Sequence, residues 1–218
     1  LGISIQTQQS WRNDREALQQ WIAALERVGV LVLQLGMPVE DARAFSLADE
    51  QAPVIVLNSR DFTNARVFSV FHEYAHLLIH HAGICNMMLE KEDIKGGEGD
   101  IERYCNHFAG AALVPAKGLT QDRAVVSKPR PAQWSDEELR EIAKRYKVSR
   151  EVILRRLVIL GCATKSFYET KRAEWSSSPT IAQKKERRPR HRDRATECLR
   201  ENGAAFTSFV LNAHGRRD

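Results

Sequence analysis

The sequence predicts an α+β fold: a small three-stranded sheet, a long helix carrying a histidine pair, and a helical extension resembling a helix-turn-helix. Three observations carry this. Three short apolar runs, at 30–35, 42–47 and 53–57, are bounded by turn residues. A long helical pattern from about 64 to 81 holds His72-Glu73-Tyr74-Ala75-His76. A second pattern, 101–113, places Glu102 and Asn106 one turn apart.

The elements follow in order. Residues 13–28 form a helix with Asn13 or Asp14 as its cap, and Leu18, Trp21, Ile22, Leu25 and Val28 fall on one face. Gly29 ends it, and the β-branched, apolar run 30–35 reads as a buried strand. The runs 42–47 and 53–57 are two more strands, and 58–61 is a turn before the histidine-bearing helix. Gly83 follows that helix, and the loop to Asp100 contains Gly96, Gly97 and Gly99. The helix 101–113 is stopped by Pro115. A proline-containing linker, 128–133, leads to two short helices within 135–161. Ser176-Ser177-Ser178-Pro179 opens a flexible linker, and a last helix starts near Arg194. The expected organisation is a domain at 1–128, a helical extension at 129–175, a basic linker at 176–194 and a C-terminal helix from 195 to 218, with the start of a further domain as one reading of it.

The chain has 218 residues and a formal net charge of +5, with 33 Lys+Arg against 28 Asp+Glu. Residues 184–194 hold seven basic and two acidic side chains, so the remainder carries 26 of each sign. The excess is a local segment, which excludes a uniformly basic protein. No apolar run approaches the ~20 residues that span a bilayer, and no secretory pattern is visible. Cys85, Cys105, Cys162 and Cys198 form no CxxC pair. Sparse cysteines of this kind fit a reducing, cytoplasmic setting.

HExxH at 72–76 has a definite physical meaning on a helix. Residues i and i+4 share a face, so His72 and His76 can bind one cation. Glu73 sits beside the first of them. Zn²⁺ lowers the pKa of a bound water to about 7, and a neighbouring carboxylate can then take its proton and return it to a leaving amine. A catalytic zinc takes three protein ligands. Glu102 is the candidate for the third, with Asn106 hydrogen-bonding a ligand from behind. In isolation Glu102 is an ordinary first-turn carboxylate favoured by the helix dipole.

The segments His72-Glu73-Tyr74-Ala75-His76-Leu77-Leu78-Ile79-His80 and Glu102-Arg103-Tyr104-Cys105-Asn106-His107-Phe108-Ala109, running on to Leu113-Val114-Pro115, resemble the ImmA/IrrE family of bacterial metallopeptidases. So do Pro53-Val54-Ile55-Val56-Leu57-Asn58 and Arg66-Val67-Phe68, and the resemblance spans about residues 15–160. It implies a zincin-like domain with His72, His76 and Glu102 as zinc ligands and Glu73 as general base. It also implies a cytoplasmic enzyme that cleaves a helix-turn-helix repressor and so switches on mobile-element, stress or defence genes. The CapP-like peptidases of anti-phage operons are one such type.

Several residues keep two readings. Cys85, between the two ligand helices, is either a thiolate on the open zinc position or a small buried apolar residue. Cys105 is a second candidate of that kind and otherwise packs in the core. His80 continues the histidine ladder one turn on. Tyr74, Tyr104 and His107 are each able to stabilise an oxyanion. The pair of helices from 137 to 157 resembles a helix-turn-helix with Lys147 where glycine is usual in the turn, and Arg150, Arg155 and Arg156 are its candidates for nucleic-acid contact. Against this, 136–160 holds seven basic and five acidic residues, a weak field that favours a pair completing the domain or cupping its substrate. Lys184, Lys185, Arg187 and Arg188 suit phosphate contact without base stacking, since no aromatic residue is interleaved, or else a solvated linker. The leading expectation is a zinc endopeptidase with nucleic acid as a candidate activator. Its rival is a DNA-binding regulator whose peptidase-like domain only senses.

Overall fold

A computed structural model of the chain describes residues 1–79, 84–85, 97–177 and 193–214, with 84, 85, 98, 197, 200, 204 and 205 described for their backbone alone. A short helix α1 (Ile5–Ser10) precedes α2 (Asp14–Glu26). The Asn13 side chain caps α2 by accepting from the backbone of Arg15 and Glu16. The inner face of α2 buries Ala17, Leu18, Trp21, Ile22, Ala24 and Leu25. Gly29 adopts φ 89°, a left-handed turn that glycine makes without steric cost, and delivers the chain into β1 (Leu31–Leu35).

Strands β2 (Ala44–Leu47) and β3 (Val54–Asn58) follow, and a two-residue strand β4 (Ile84–Cys85) comes after the next helix. The sheet order is β1-β3-β2-β4. β3 pairs parallel with β1, from Leu31↔Val54 to Leu35↔Asn58, and antiparallel with β2, where Ser46 lies opposite Ile55. β4 adds antiparallel to β2 at Ala44 and Phe45. The three expected strands are present, and the fourth falls where the sequence suggests loop.

Buried Asn58 closes the turn after β3. Its Nδ2 donates to the carbonyls of Met37 and Ala42, and its Oδ1 accepts from the Arg60 backbone. The chain then enters α3 (Thr63–Leu78). This helix is buried almost all round, from Val67 to Leu77 with only Tyr74 part-exposed. A helix of that kind belongs inside a fold, and α3 packs against α2, β2, β3 and α4 (Gly97–Leu113). Trp21 sits edge-on to both Trp11 and Phe71, with ring centroids 5.1 and 4.8 Å away.

Short helices α5 (Ala116–Thr120) and α6 (Arg123–Val126) lead to α7 (Asp136–Tyr146), α8 (Arg150–Ile159) and α9 (Lys165–Ser177). A Ser135–Glu138 capping box starts α7, and Lys147 ends it in the left-handed conformation at φ 57°, so the turn that glycine usually makes is made here by lysine. α8 buries Val152, Ile153, Leu154, Arg156 and Leu157 and packs on α4, α7 and α9. One hydrophobic core runs from Trp11 through Tyr168, so residues 129–175 extend the core of the first 128. Later in the chain, α10 (Arg194–Asn202) packs on β1, and α11 (Ala204–His214) follows it.

Candidate active site

The site lies where α3 meets α4. His72, Glu73 and His76 are 1%, 0% and 1% exposed, so their polar atoms have only each other and the neighbouring elements to meet. The two imidazole Nε2 atoms lie 3.2 Å apart. Glu102, from the facing helix, reaches both, with Oε2 3.3 Å from His72 Nε2 and Oε1 3.1 Å from His76 Nε2. These three donors lie within 4.8 Å of one another. The Glu102 side chain is 45% exposed, so the cluster is walled by protein on the histidine side and open on the carboxylate side.

On the far side of the His72 ring, Nδ1 and Asn106 Oδ1 are 3.1 Å apart. With the proton on Nδ1 donated to Asn106, the Nε2 lone pair faces the cluster, the tautomer a metal ligand requires. The fully buried Cys105 thiol lies beside His76. Burial works against a charge on His76, but Cys105 and Glu102 outweigh it and push its pKa up to about 10. Burial likewise opposes ionisation of Glu102, and its hydrogen bonds to His72 and His76 override that and bring it down to about 2. The pair thus holds one proton between carboxylate and imidazole, where a cation of higher charge would bind in its place. Two buried nitrogens and one carboxylate converging on a point fit a divalent metal such as zinc.

Glu73 points to the same region from beside His72. Its Oε2 accepts from Ser46 Oγ at 2.7 Å, and its Oε1 has no hydrogen-bond partner among the described residues. Burial raises the Glu73 pKa, against the opposing pull of His72, Ser46 and His76.

Residues 25–158 match the family model of the IrrE N-terminal-like domain, Peptidase_M78. The chain belongs to this family. It is therefore a metallopeptidase domain of the ImmA/IrrE type, with a protein as its class of substrate. The match runs from the end of α2 through the whole sheet and both site helices into α8, so the family domain takes in the helix-turn-helix-like pair. No curated protein matches the chain. Among the described residues, no helix is long and apolar enough to cross a membrane.

The structure brings together His72, Glu73, His76, Glu102 and Asn106. It does not bring the three helical arginines to a common outer face. Arg156 was a candidate for nucleic-acid contact, and this is corrected: it is 4% exposed, and its Nε donates to the Val114 carbonyl at 3.1 Å. Arg150 pairs with Asp136 and stacks 4.3 Å over the Trp175 ring. Arg155 pairs with Glu151 at 3.5 Å and lies 5.4 Å over Tyr168. The α9 helix supplies both rings. Tyr74 and Tyr104 gather around Phe108, at 6.3 and 6.4 Å between ring centroids, and His107 is exposed. Cys85 is described for its backbone alone, opposite Ala44 in β4. His80, Lys184, Lys185, Arg187 and Arg188 lie outside the described residues.

Sequence reasoning missed Ser46. Its only signal was a polar residue on the inward phase of a strand, two places from buried Ala44. The contact of Cys105 with His76 was missed as well, because a cysteine at that helix position reads equally as core.

Proposed function

We propose that this chain is a zinc-dependent endopeptidase of the cytoplasm that cuts one particular protein, a helix-turn-helix transcriptional repressor, and so releases stress or anti-phage defence genes. The observation that supports it best is the buried His72–His76–Glu102 cluster with the Glu73 carboxylate anchored alongside. Zinc held by those three side chains would polarise the scissile carbonyl and acidify the attacking water. Glu73 would be the group that accepts the proton of the attacking water and returns it to the leaving nitrogen. Asn106 keeps His72 in its binding tautomer. The repressor as substrate is supported by the likeness to the ImmA/IrrE family.

The substrate backbone lies extended along the sheet edge on the β2 side. β1, at the other edge, is flanked by α10. On its outer side β2 pairs with β4 at Ala44 and Phe45, and Ser46 and Leu47 follow along the strand. Ser46 in turn touches Glu73, so a peptide added there runs past the base. Cys85 lies on the backbone of β4, next to this edge. We assign its thiolate the restraining role, on the coordination position that three protein ligands leave open. The basic run 184–194 is the element on which nucleic acid would act as an activator.

The test is a cleavage gel with the full chain and any helix-turn-helix repressor encoded beside it. The expected result is one discrete cut, abolished by a chelator and restored by adding zinc. An uncut repressor in the presence of bound zinc, with and without single-stranded DNA, would remove the repressor reading.

A further inference from the structure

We infer that Ser46 is the positioning residue of the catalytic carboxylate: its hydroxyl fixes Glu73 through Oε2 and leaves Oε1 as the oxygen that handles the proton. This rests on the reading of Glu73 as the base. A glutamate side chain has three rotatable bonds, and its two oxygens are chemically equivalent until something distinguishes them. Here Ser46 does so. The Ser46 Oγ to Glu73 Oε2 distance is 2.7 Å, and the two residues are 2% and 0% exposed, so solvent does not compete for the bond. A hydrogen bond to an ionised acceptor is among the strong ones. The other oxygen, Oε1, is equally buried and has no partner among the described residues. A buried carboxylate oxygen left unpaired is costly, and such groups persist where function uses them.

The anchor also comes from the right place. Ser46 is carried by β2, in register with Ile55 of the central strand β3. The His72–His76–Glu102 cluster comes from α3 and α4. The base is therefore aligned by an element separate from those that hold the metal, and losing the hydroxyl leaves the ligand set intact.

The experiment uses the full chain loaded with zinc or cobalt, and four variants: Ser46→Ala, Ser46→Thr, Ser46→Val and Glu73→Gln. Threonine and valine have nearly the same shape, so comparing them isolates the hydroxyl from any cost of the added methyl. The probe is acetohydroxamate, which chelates the metal and shares a proton with a nearby carboxylate. Its affinity is read from the visible spectrum of the cobalt protein, alongside zinc affinity and the thermal midpoint. Ser46→Ala and Ser46→Val are expected to bind the probe about tenfold more weakly than wild type and Ser46→Thr. Zinc affinity stays unchanged throughout. The proposal is overturned if Thr and Val behave alike, if Ala binds the probe as wild type while Glu73→Gln does not, or if zinc affinity falls in step with probe affinity. A wild-type chain that takes up no metal, or a Glu73→Gln variant that binds the probe normally, overturns the underlying reading of the site and Ser46's role with it.

Discussion

Replacing Glu73 by glutamine is expected to stop cleavage while leaving the metal in place. Glutamine keeps the shape of the side chain and its bond to Ser46, but its amide cannot take a proton at neutral pH. General acid–base groups contribute roughly 10²- to 10⁴-fold, and the rate should fall by that amount. The proposed ligands His72, His76 and Glu102 are separate side chains, so zinc content should not change. Burial lifts the Glu73 pKa above the ordinary carboxylate range, toward the pH at which a group can both accept and return a proton. Single-turnover cleavage of the repressor, with metal analysis of the same samples, checks both parts.

Arg156→Ala is expected to destabilise the fold by about 2–4 kcal/mol and to leave affinity for DNA unchanged. The residue is buried between α8 and α4. Its Nε holds the Val114 carbonyl, at the end of the helix that carries Glu102. Its Cδ lies 3.2 Å from where a β-carbon on Gly110 would sit, so the stem fills the space that glycine opens. Truncation leaves a cavity and an unpaired carbonyl together. If the pair were a DNA-reading helix-turn-helix, the result would be the opposite, with stability kept and DNA binding lost. Denaturant unfolding and a DNA-binding titration at fixed salt separate the two.

Arg156 also shows where a sequence stops being informative. In a helix-turn-helix-like string an arginine on the second helix reads as a surface contact. Nothing local reveals that α4 and the residue after it close over it, since those contacts come from more than forty residues away. The same limit hid α1, a polar hexapeptide. It is fixed by the Ser4 cap and by buried Gln8, whose amide donates to the carbonyls of Leu113 and Tyr146. It hid β4, two residues long and defined only by pairing with β2. α4 starts at Gly97, four residues before the expected start, because the glycines read as loop. By contrast, β1, β2 and β3 were legible as short apolar runs between turn residues, and α3 as a long apolar run at helical length. The pair His72 and His76 was legible because helix spacing alone puts them together. Glu102 needed a second motif, and Ser46 had none.

The most direct measurement is a zinc titration of the metal-free full chain at several pH values, beside His76→Ala. In the metal-free protein the His76 pKa is about 10 and that of Glu102 about 2, so between pH 6 and 8 the site enters binding with one proton on the histidine and an ionised carboxylate. Zinc must expel that proton. The account predicts one ion per chain, an affinity that rises roughly tenfold per pH unit over that range, and loss of the site in the variant. A chain that binds no stoichiometric zinc, or a His76→Ala chain that binds it as tightly as wild type, would contradict it.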